Sequence, residues 1–368
     1  GTNLTNSLTY TYTNDLLTSN TYSIATLGND GSENKTVFDP LDRPFIMGEK
    51  NISGIWSYKQ TQYDASGRKT KVSEPYFSTV YPPIAPSNTL WNQASYDIYG
   101  RVNQIIDATT KTISVNYSGL TTTVNDSFKN VVYTNNATGT IASVTDPGGT
   151  ITYDYYANDA LKSSTFGTNI VTVSQDAWGR KTALFDPAAG NYTYTYNLLG
   201  ETLTETTPKG TTTYTVTPQT GMLTQKTIVG DLTNSSTTYT YDAATKLLVS
   251  SRFTDVLGGY YTDYTYEYDA YKRIYRISEN NPYAFFQHAI LYDGYSRPQY
   301  EYYNATDPSN SKVSQKWITH TYLNGYHWQI KDGNTGSGAM LWQTQSVNER
   351  GQVLTALYGN SVGTETHV

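Results

Sequence analysis

The chain is 368 residues long, with 25 basic and 31 acidic side chains, a net charge of -6 and only 15% charged residues. That balance argues against a nucleic-acid binder, which usually carries a basic face, and 37% hydrophobic residues argue against a thick multilayer core. The lack of cysteine excludes a disulfide framework, a thiolate metal site and a thiol nucleophile, and no apolar run reaches the roughly 18 residues that a membrane helix needs.

What remains is a strand-and-turn composition: 36 Tyr against 9 Phe, 28 Gly and 13 Pro, with abundant Thr and Asn. The first strand-like stretch is Leu8 to Tyr12. No basic region followed by an apolar stretch precedes it, so no signal peptide is read there. Both ends read as cuts through a longer chain.

From there a pattern recurs: an alternating Tyr/Thr strand, Tyr-Asp, two free residues, Gly-Arg, then a further strand. Phe38-Asp39-Pro40-Leu41-Asp42-Arg43 is a weak copy. Clear copies are Tyr63-Asp64-Ala65-Ser66-Gly67-Arg68 and Tyr96-Asp97-Ile98-Tyr99-Gly100-Arg101, and Gln175-Asp176-Ala177-Trp178-Gly179-Arg180 lacks only the Tyr. Tyr196-Asn197-Leu198-Leu199-Gly200-Glu201 loses the Arg, and Tyr241 to Lys246 is weaker. Tyr268-Asp269-Ala270-Tyr271-Lys272-Arg273 and Tyr292-Asp293-Gly294-Tyr295-Ser296-Arg297 lose the Gly, and a faint copy lies at Val347 to Gln352. A unit of about 20 to 27 residues is two short strands and two turns.

The motif has a mechanical reading. Asp opens a type I turn because its carboxylate accepts the turn's own amides, and Gly takes the positive-φ position of a three-residue hairpin. Asp64–Gly67, Asp97–Gly100 and Asp176–Gly179 are therefore predicted hairpin tips. Lys272 and Ser296 stand where Gly belongs, so those turns are expected to be strained or of another type. Between turns, Tyr192-Thr193-Tyr194-Thr195-Tyr196 and Tyr264-Thr265-Tyr266-Glu267-Tyr268 alternate with period two, which predicts Tyr ladders on one face and Thr, Ser and Glu on the other.

These residues resemble the YD repeat of the Rhs family: strand, Tyr-Asp, two residues, Gly-Arg-aliphatic. Tyr96 to Val102 matches at every position, and the likeness covers roughly residues 8 to 300. The resemblance implies a long β-sheet spiralling into a hollow shell, as in bacterial polymorphic toxins, the B and C components of insecticidal toxin complexes, and animal teneurins. It also implies an enclosed polypeptide cargo. The family's shell usually ends in an Asp-Pro-x-Gly-type self-cleaving segment. Nothing like it follows residue 300, so that centre is not carried over. The length suits an arc, or about one to two turns of a shell.

A search for chemistry assigns no catalytic residue, no metal ligand and no cofactor. His288, His320, His327 and His367 have no ligand spacing with a mechanism behind it. No Gly-x-Ser-x-Gly elbow or phosphate loop occurs. Glu201, Glu205, Asp263 and Glu267 read as strand-edge or solvent-face residues before a glycosidase pair, and one Asp per turn is not a Ca²⁺ cage. One aromatic cluster stands out: Trp317, Tyr322, Tyr326, His327, Trp328 and Trp342. It reads first as a bulkier end of the sheet and alternatively as a sugar- or peptide-binding platform.

The expectation is an all-β protein, a continuous antiparallel β-hairpin repeat sheet forming part of a hollow YD-repeat solenoid. Residues 1–310 form the array and 311–368 an aromatic-rich continuation with weak repeats. Its function is expected to be a non-catalytic segment of a secreted or cell-surface bacterial shell. Its partners would be the rest of that shell and an enclosed polypeptide, with no nucleic acid and no membrane span. The alternative is an adhesion module binding glycan or protein through Tyr/Trp-rich faces, and a glycoside hydrolase is the remote one.

Overall fold

The structure is a computed structural model that describes residues 14–15, 21–81, 83–309, 312–359 and 363–366. The strand expected over Leu8–Tyr12 and the fourth histidine, His367, lie outside them. The described residues form strands, from β1 (Asn14–Asp15) to β32 (Gly363–Thr366), in one 32-stranded sheet. There is no α-helix among them. The sheet is an antiparallel meander that stays open, as the alternating sequence predicts. It continues without a break in pairing from β27 (Pro298–Thr306) to β28 (Val313–Leu323).

The two faces differ as expected. Leu184 pairs with Tyr192 and Tyr194 with Glu205 on one face, while Thr193 pairs with Thr206 and Thr195 with Thr204 on the other. Tyr192, Tyr194 and Tyr196 are half-buried against their neighbours, and Thr193 and Thr195 are exposed. The threonine face is hydrogen-bonded across strands, with Thr195 Oγ1 2.6 Å from Thr204 Oγ1 and Thr145 Oγ1 2.9 Å from Thr150 Oγ1. Such cross-strand pairs are the unit of sheet stabilisation. They let a sheet stand with few aliphatic residues.

One region departs from a bare sheet. β2 (Thr21–Leu27), β3 (Glu33–Phe38), β4 (Pro44–Lys50) and β5 (Trp56–Tyr63) pair in sequence. β6 (Lys69–Ser73) and β7 (Tyr76–Ser78) then both run antiparallel to β5, as one strand with a kink. Pro75 sits in the kink and has no amide to give to the ladder. There the Gln60 amide donates to Ser73 Oγ at 2.8 Å. The segment after β7 turns back over β3–β5. It places Ala85 against a small core of Val37, Ile46, Tyr58 and Tyr76, with Phe45 and Trp56 at its margin. Burial pushes the Tyr58 hydroxyl up to about 12. This second layer was not foreseen in the sequence. The sheet resumes at β8 (Trp91–Tyr96), which pairs with β6.

Because β6 and β7 act as one strand, every motif turn falls on the same edge of the sheet. Gly67, Gly100 and Gly179 have φ near 80°, and in each turn the Gly amide donates back to the Asp carbonyl. Lys272 (φ 64°) and Ser296 (φ 66°) adopt the same turn with the same bonds. The expectation of strain therefore holds, and that of another turn type does not. Left-handed backbone costs a side-chain-bearing residue about 1–2 kcal/mol, partly offset by the flexibility glycine adds to the unfolded chain. Lys272→Gly is expected to stabilise this hairpin by about 0.5–1 kcal/mol, read as slower amide exchange over residues 264–276. A second irregularity accompanies the turn. Tyr63 pairs with Lys69 but Gln62 with Lys71, so Thr70 is a bulge residue, and Asn103 and Tyr275 repeat this. Bulges increase local twist, which suits a sheet that must curve.

Candidate functional site

The repeat turn is a built electrostatic unit. Asp64 Oδ1 accepts the amides of Ser66 and Arg68 at 2.9 Å each, while Oδ2 accepts Arg68 Nε at 2.7 Å. Asp97 with Arg101, Asp176 with Arg180, Asp269 with Arg273 and Asp293 with Arg297 repeat the pattern, as does the weak copy, Asp39 with Arg43. The Arg68 amide, and then its guanidinium, hold the Asp64 carboxyl below its usual range. In Asp97, Asp176 and Asp269 desolvation pulls the other way, yet the Arg bonds still win and hold the carboxyl low. Carboxyls held low stabilise the fold above their unfolded value of 3.8, and that stability is lost as pH falls through the lowered folded values. Acid unfolding that begins only below about pH 4 is the expected result, followed by far-UV circular dichroism.

The Tyr of the motif belongs to the neighbouring turn as much as to its own. The hydroxyls of Tyr63, Tyr96, Tyr196, Tyr292 and Tyr322 donate at 2.7–2.8 Å to the carbonyls of Pro44, Lys69, Lys181, Ile274 and Pro298. Each acceptor is the residue that follows the Arg of the preceding copy. That same Arg stacks on the ring: Arg43 on Tyr63, Arg68 on Tyr96, Arg180 on Tyr196, Arg273 on Tyr292 and Arg297 on Tyr322, at 4.1–4.8 Å. The motif is thus a chain of staples along one edge. At Gln175, which stands where the motif has Tyr, the side chain bonds Asn158 of the preceding turn instead. Tyr155, Tyr241 and Tyr268 make the same hydroxyl bond after turns without Arg. Tyr322 was a candidate ligand contact in the sequence, and the structure makes it the staple of the last complete unit.

The second feature is a seam between distant parts of the chain. In the turn between β26 (Phe285–Tyr292) and β27, Arg297 Nη1 lies 2.7 Å from Asp30 Oδ2, in the turn between β2 and β3. Between β28 and β29 (Tyr326–Asp332), Asn324 Nδ2 donates to the carbonyls of Asn51 (3.3 Å) and Ile52 (3.1 Å), between β4 and β5. Tyr326 donates to Glu49 Oε1 at 2.8 Å. Between β30 (Met340–Val347) and β31 (Val353–Tyr358), Arg350 pairs with Glu74, and the Glu349 carbonyl accepts from Ser57. The sheet therefore comes round on itself after 23 strand positions, β6 and β7 sharing one, with β26–β27 meeting β2–β3 and β28–β29 meeting β4–β5. The motif edge of the later strands sits on the opposite edge of the early ones, so the sheet coils.

A third feature lies on the Tyr face just inside that seam. Glu301 on β27 holds His288 Nε2 2.9 Å from its Oε2, accepts the Tyr303 hydroxyl, and has His320 Nε2 2.9 Å from its Oε1. The last contact is a close approach out of line for a hydrogen bond. His320 Nδ1 and His327 Nε2 are 2.9 Å apart, and the His327 ring stacks on Trp342 at 5.2 Å. His288 and Tyr303 line an open apolar groove with Tyr264, Ile277, Phe286 and Lys316. No cluster of metal-ligating side chains is found among the described residues.

The aromatic platform considered from the sequence is not assembled at one place. Trp317 pairs with Tyr302 and packs on its ring at 4.7 Å. Trp342 pairs with Ile330, on the opposite face from Trp317. Trp328 is the extra residue of a bulge between the Tyr322–His327 and Thr321–Gln329 pairs. Tyr326 is taken up by the seam. The seam partners Asp30, Asn51 and Asn324 carry no sequence signal, because nothing local marks which turns meet after a full coil.

No family model matches this chain, and no curated protein does. Among solved structures, a TcdB2-TccC3 chain is similar over 93% of this chain and 23% of its own length, with a TM-score of 0.51 at 12% identity. A TcdB2-TccC3-Cdc42 structure (TM-score 0.44, 12% identity, 90% and 27% covered) and the Photorhabdus luminescens Tc holotoxin pore (0.35, 13%, 91% and 24%) are also similar. The chain thus spans about a quarter of the length of the chains it matches. The first of these likenesses shows the fold: a long antiparallel hairpin sheet of the kind found in Tc toxin complex chains. No helix among the described residues is long and apolar enough to cross a membrane.

Proposed function

We propose that this chain is a non-catalytic wall: one coil of a longer Rhs/YD-type shell that encloses or presents a polypeptide in a secreted or surface-borne bacterial toxin-like protein. The observation that carries this reading is the coil itself. At about 4.8 Å per strand, 23 strand positions trace roughly 110 Å, a ring about 35 Å across between backbones. After side chains on the inner face are allowed for, that leaves room for an extended or partly folded chain. Work of this kind is steric, with ladder hydrogen bonds holding the wall and no bond made or broken by it.

The motif edge supports the wall continuing. In four copies the turn residue before the Gly position is large and at solvent: Tyr99, Trp178, Leu199 and Tyr271 are 71–81% exposed, while Ser66 takes the place in the copy at Tyr63–Arg68. Its counterpart in the docked turn, Tyr295, is half-buried with its hydroxyl buried. A row of large apolar side chains at solvent is an interaction surface by default. Another coil of the same sheet is the partner that fits it.

Digestion of the full-length parent polypeptide with proteinase K tests the proposal. A non-shell segment is expected to survive while the coil is intact and to be cut severalfold faster in the Arg297→Ala/Asn324→Ala double variant. Equal cleavage in both proteins sinks the wall reading.

A further inference from the structure

We infer that the His320–His327 pair is an acid-sensitive latch on the coil seam, a conformational device that rests on the coil reading above. The two histidines flank the tip of the β28–β29 hairpin. That tip carries Asn324 and Tyr326, two of the residues that fasten the later strands to β4 and its turn. An N···N hydrogen bond of 2.9 Å requires one of its two nitrogens to be without a proton. When both rings are protonated, two N–H groups face each other across that distance and the bond becomes a repulsion.

The surroundings absorb the added charge only in part, through Glu301. Across the Tyr face the groups around the pair are Glu279 on β25 (Ile274–Asn280), His288 on β26, Glu301 and Tyr303 on β27, Lys316 on β28 and Asp332 on β29. Lys316 and Asp332 neutralise each other at 2.6 Å. Asp293 is bound to Arg297 beneath Tyr322, and Glu49 lies beyond the hairpin tip on Tyr326. Glu301 is the one carboxylate in contact with imidazoles, and it serves His288 and His320 together. His327 has no carboxylate in contact, and its ring lies against Trp342. Its pKa falls below 6.5, first through burial and then through His320. A depressed histidine stabilises the fold above 6.5 and loses that contribution as pH falls from there towards its folded value. Against desolvation, the Tyr303 hydroxyl and then His288 hold the Glu301 carboxyl below its ordinary 4.5, so the loss that sets in as pH falls from 6.5 belongs to His327.

Hydrogen exchange of the hairpin 318–332 and small-angle scattering, both at about pH 7.5 and about pH 5.5, test this. After correction for intrinsic exchange rates, the wild-type hairpin is expected to exchange severalfold faster at the lower pH, with a larger radius of gyration. His327→Gln, which keeps an acceptor but does not titrate, is expected to behave alike at both values. His327→Phe, which keeps a ring on Trp342, is the second variant if the first folds poorly. A wild type that is equally protected at both pH values overturns the latch, and so does a His327 variant that still loosens in acid. The Arg297→Ala/Asn324→Ala double variant at pH 7.5 separates the two ideas. If it leaves scattering and exchange unchanged, the coil itself is at fault; if it opens the chain while acid does not, only the latch is.

Discussion

Arg297→Ala is expected to open the coil. This guanidinium holds Asp293 in its own turn, Asp30 one coil away, and the rings of Tyr295 and Tyr322. Removal leaves Asp30, whose carboxyl is held low against desolvation by Ser32 and by this Arg, without its charged partner. Breaking a partly buried, hydrogen-bonded ion pair costs about 2–4 kcal/mol, a large share of the seam because its other ion pair, Arg350–Glu74, is more exposed. Small-angle scattering should show the radius of gyration rising while circular dichroism keeps its β signature, since no ladder bond is lost. Asp30→Asn should give the same change at a smaller size. A compact particle in both variants would mean that the seam is held by something other than these side chains.

The second large effect is within the turn. Asp293→Ala removes the acceptor of the Tyr295 and Arg297 amides and the anchor of the Arg297 guanidinium at once. Three bonds, one of them charge-assisted, give an expected loss of about 2–4 kcal/mol in the local stability of the β26–β27 hairpin. Asp293→Asn keeps an oxygen for the amides and is expected to lose about half of that. In a repeat array each unit mainly feels its neighbours, so hydrogen exchange should speed up over residues 285–306 and hardly change over β9 (Val102–Ile106). A loss spread evenly along the chain would contradict the staple description.

What could be read in advance followed the range of the forces involved. Asp64, Gly67 and Arg68 act within five residues of one another, so their turn was legible, as were the Tyr and Thr faces that period two dictates. The staple from Tyr96 to the Lys69 carbonyl spans 27 residues and needs the register of β8 against β6. The seam joins residues 267 to 292 apart and depends on curvature summed over a whole coil, which no local pattern encodes. The layer over Val37 and Tyr58 was hidden for another reason. Pro75 and the prolines that follow mark a break in the ladder, but not where the chain goes next. Among the histidines, spacing alone argued against metal, while the register of three strands was needed to bring His288, Glu301 and His320 together.

Each strand is laddered only to those next to it in sequence, save at the β6–β7 kink, and the lap joint between coils contains no backbone ladder. Local pairing of this kind is fast, because little loop entropy stands in its way. The sheet can therefore grow strand by strand as the polypeptide is synthesised, with the lap joint fastened last. On the wall reading proposed above, an enclosed polypeptide would have that interval in which to be threaded.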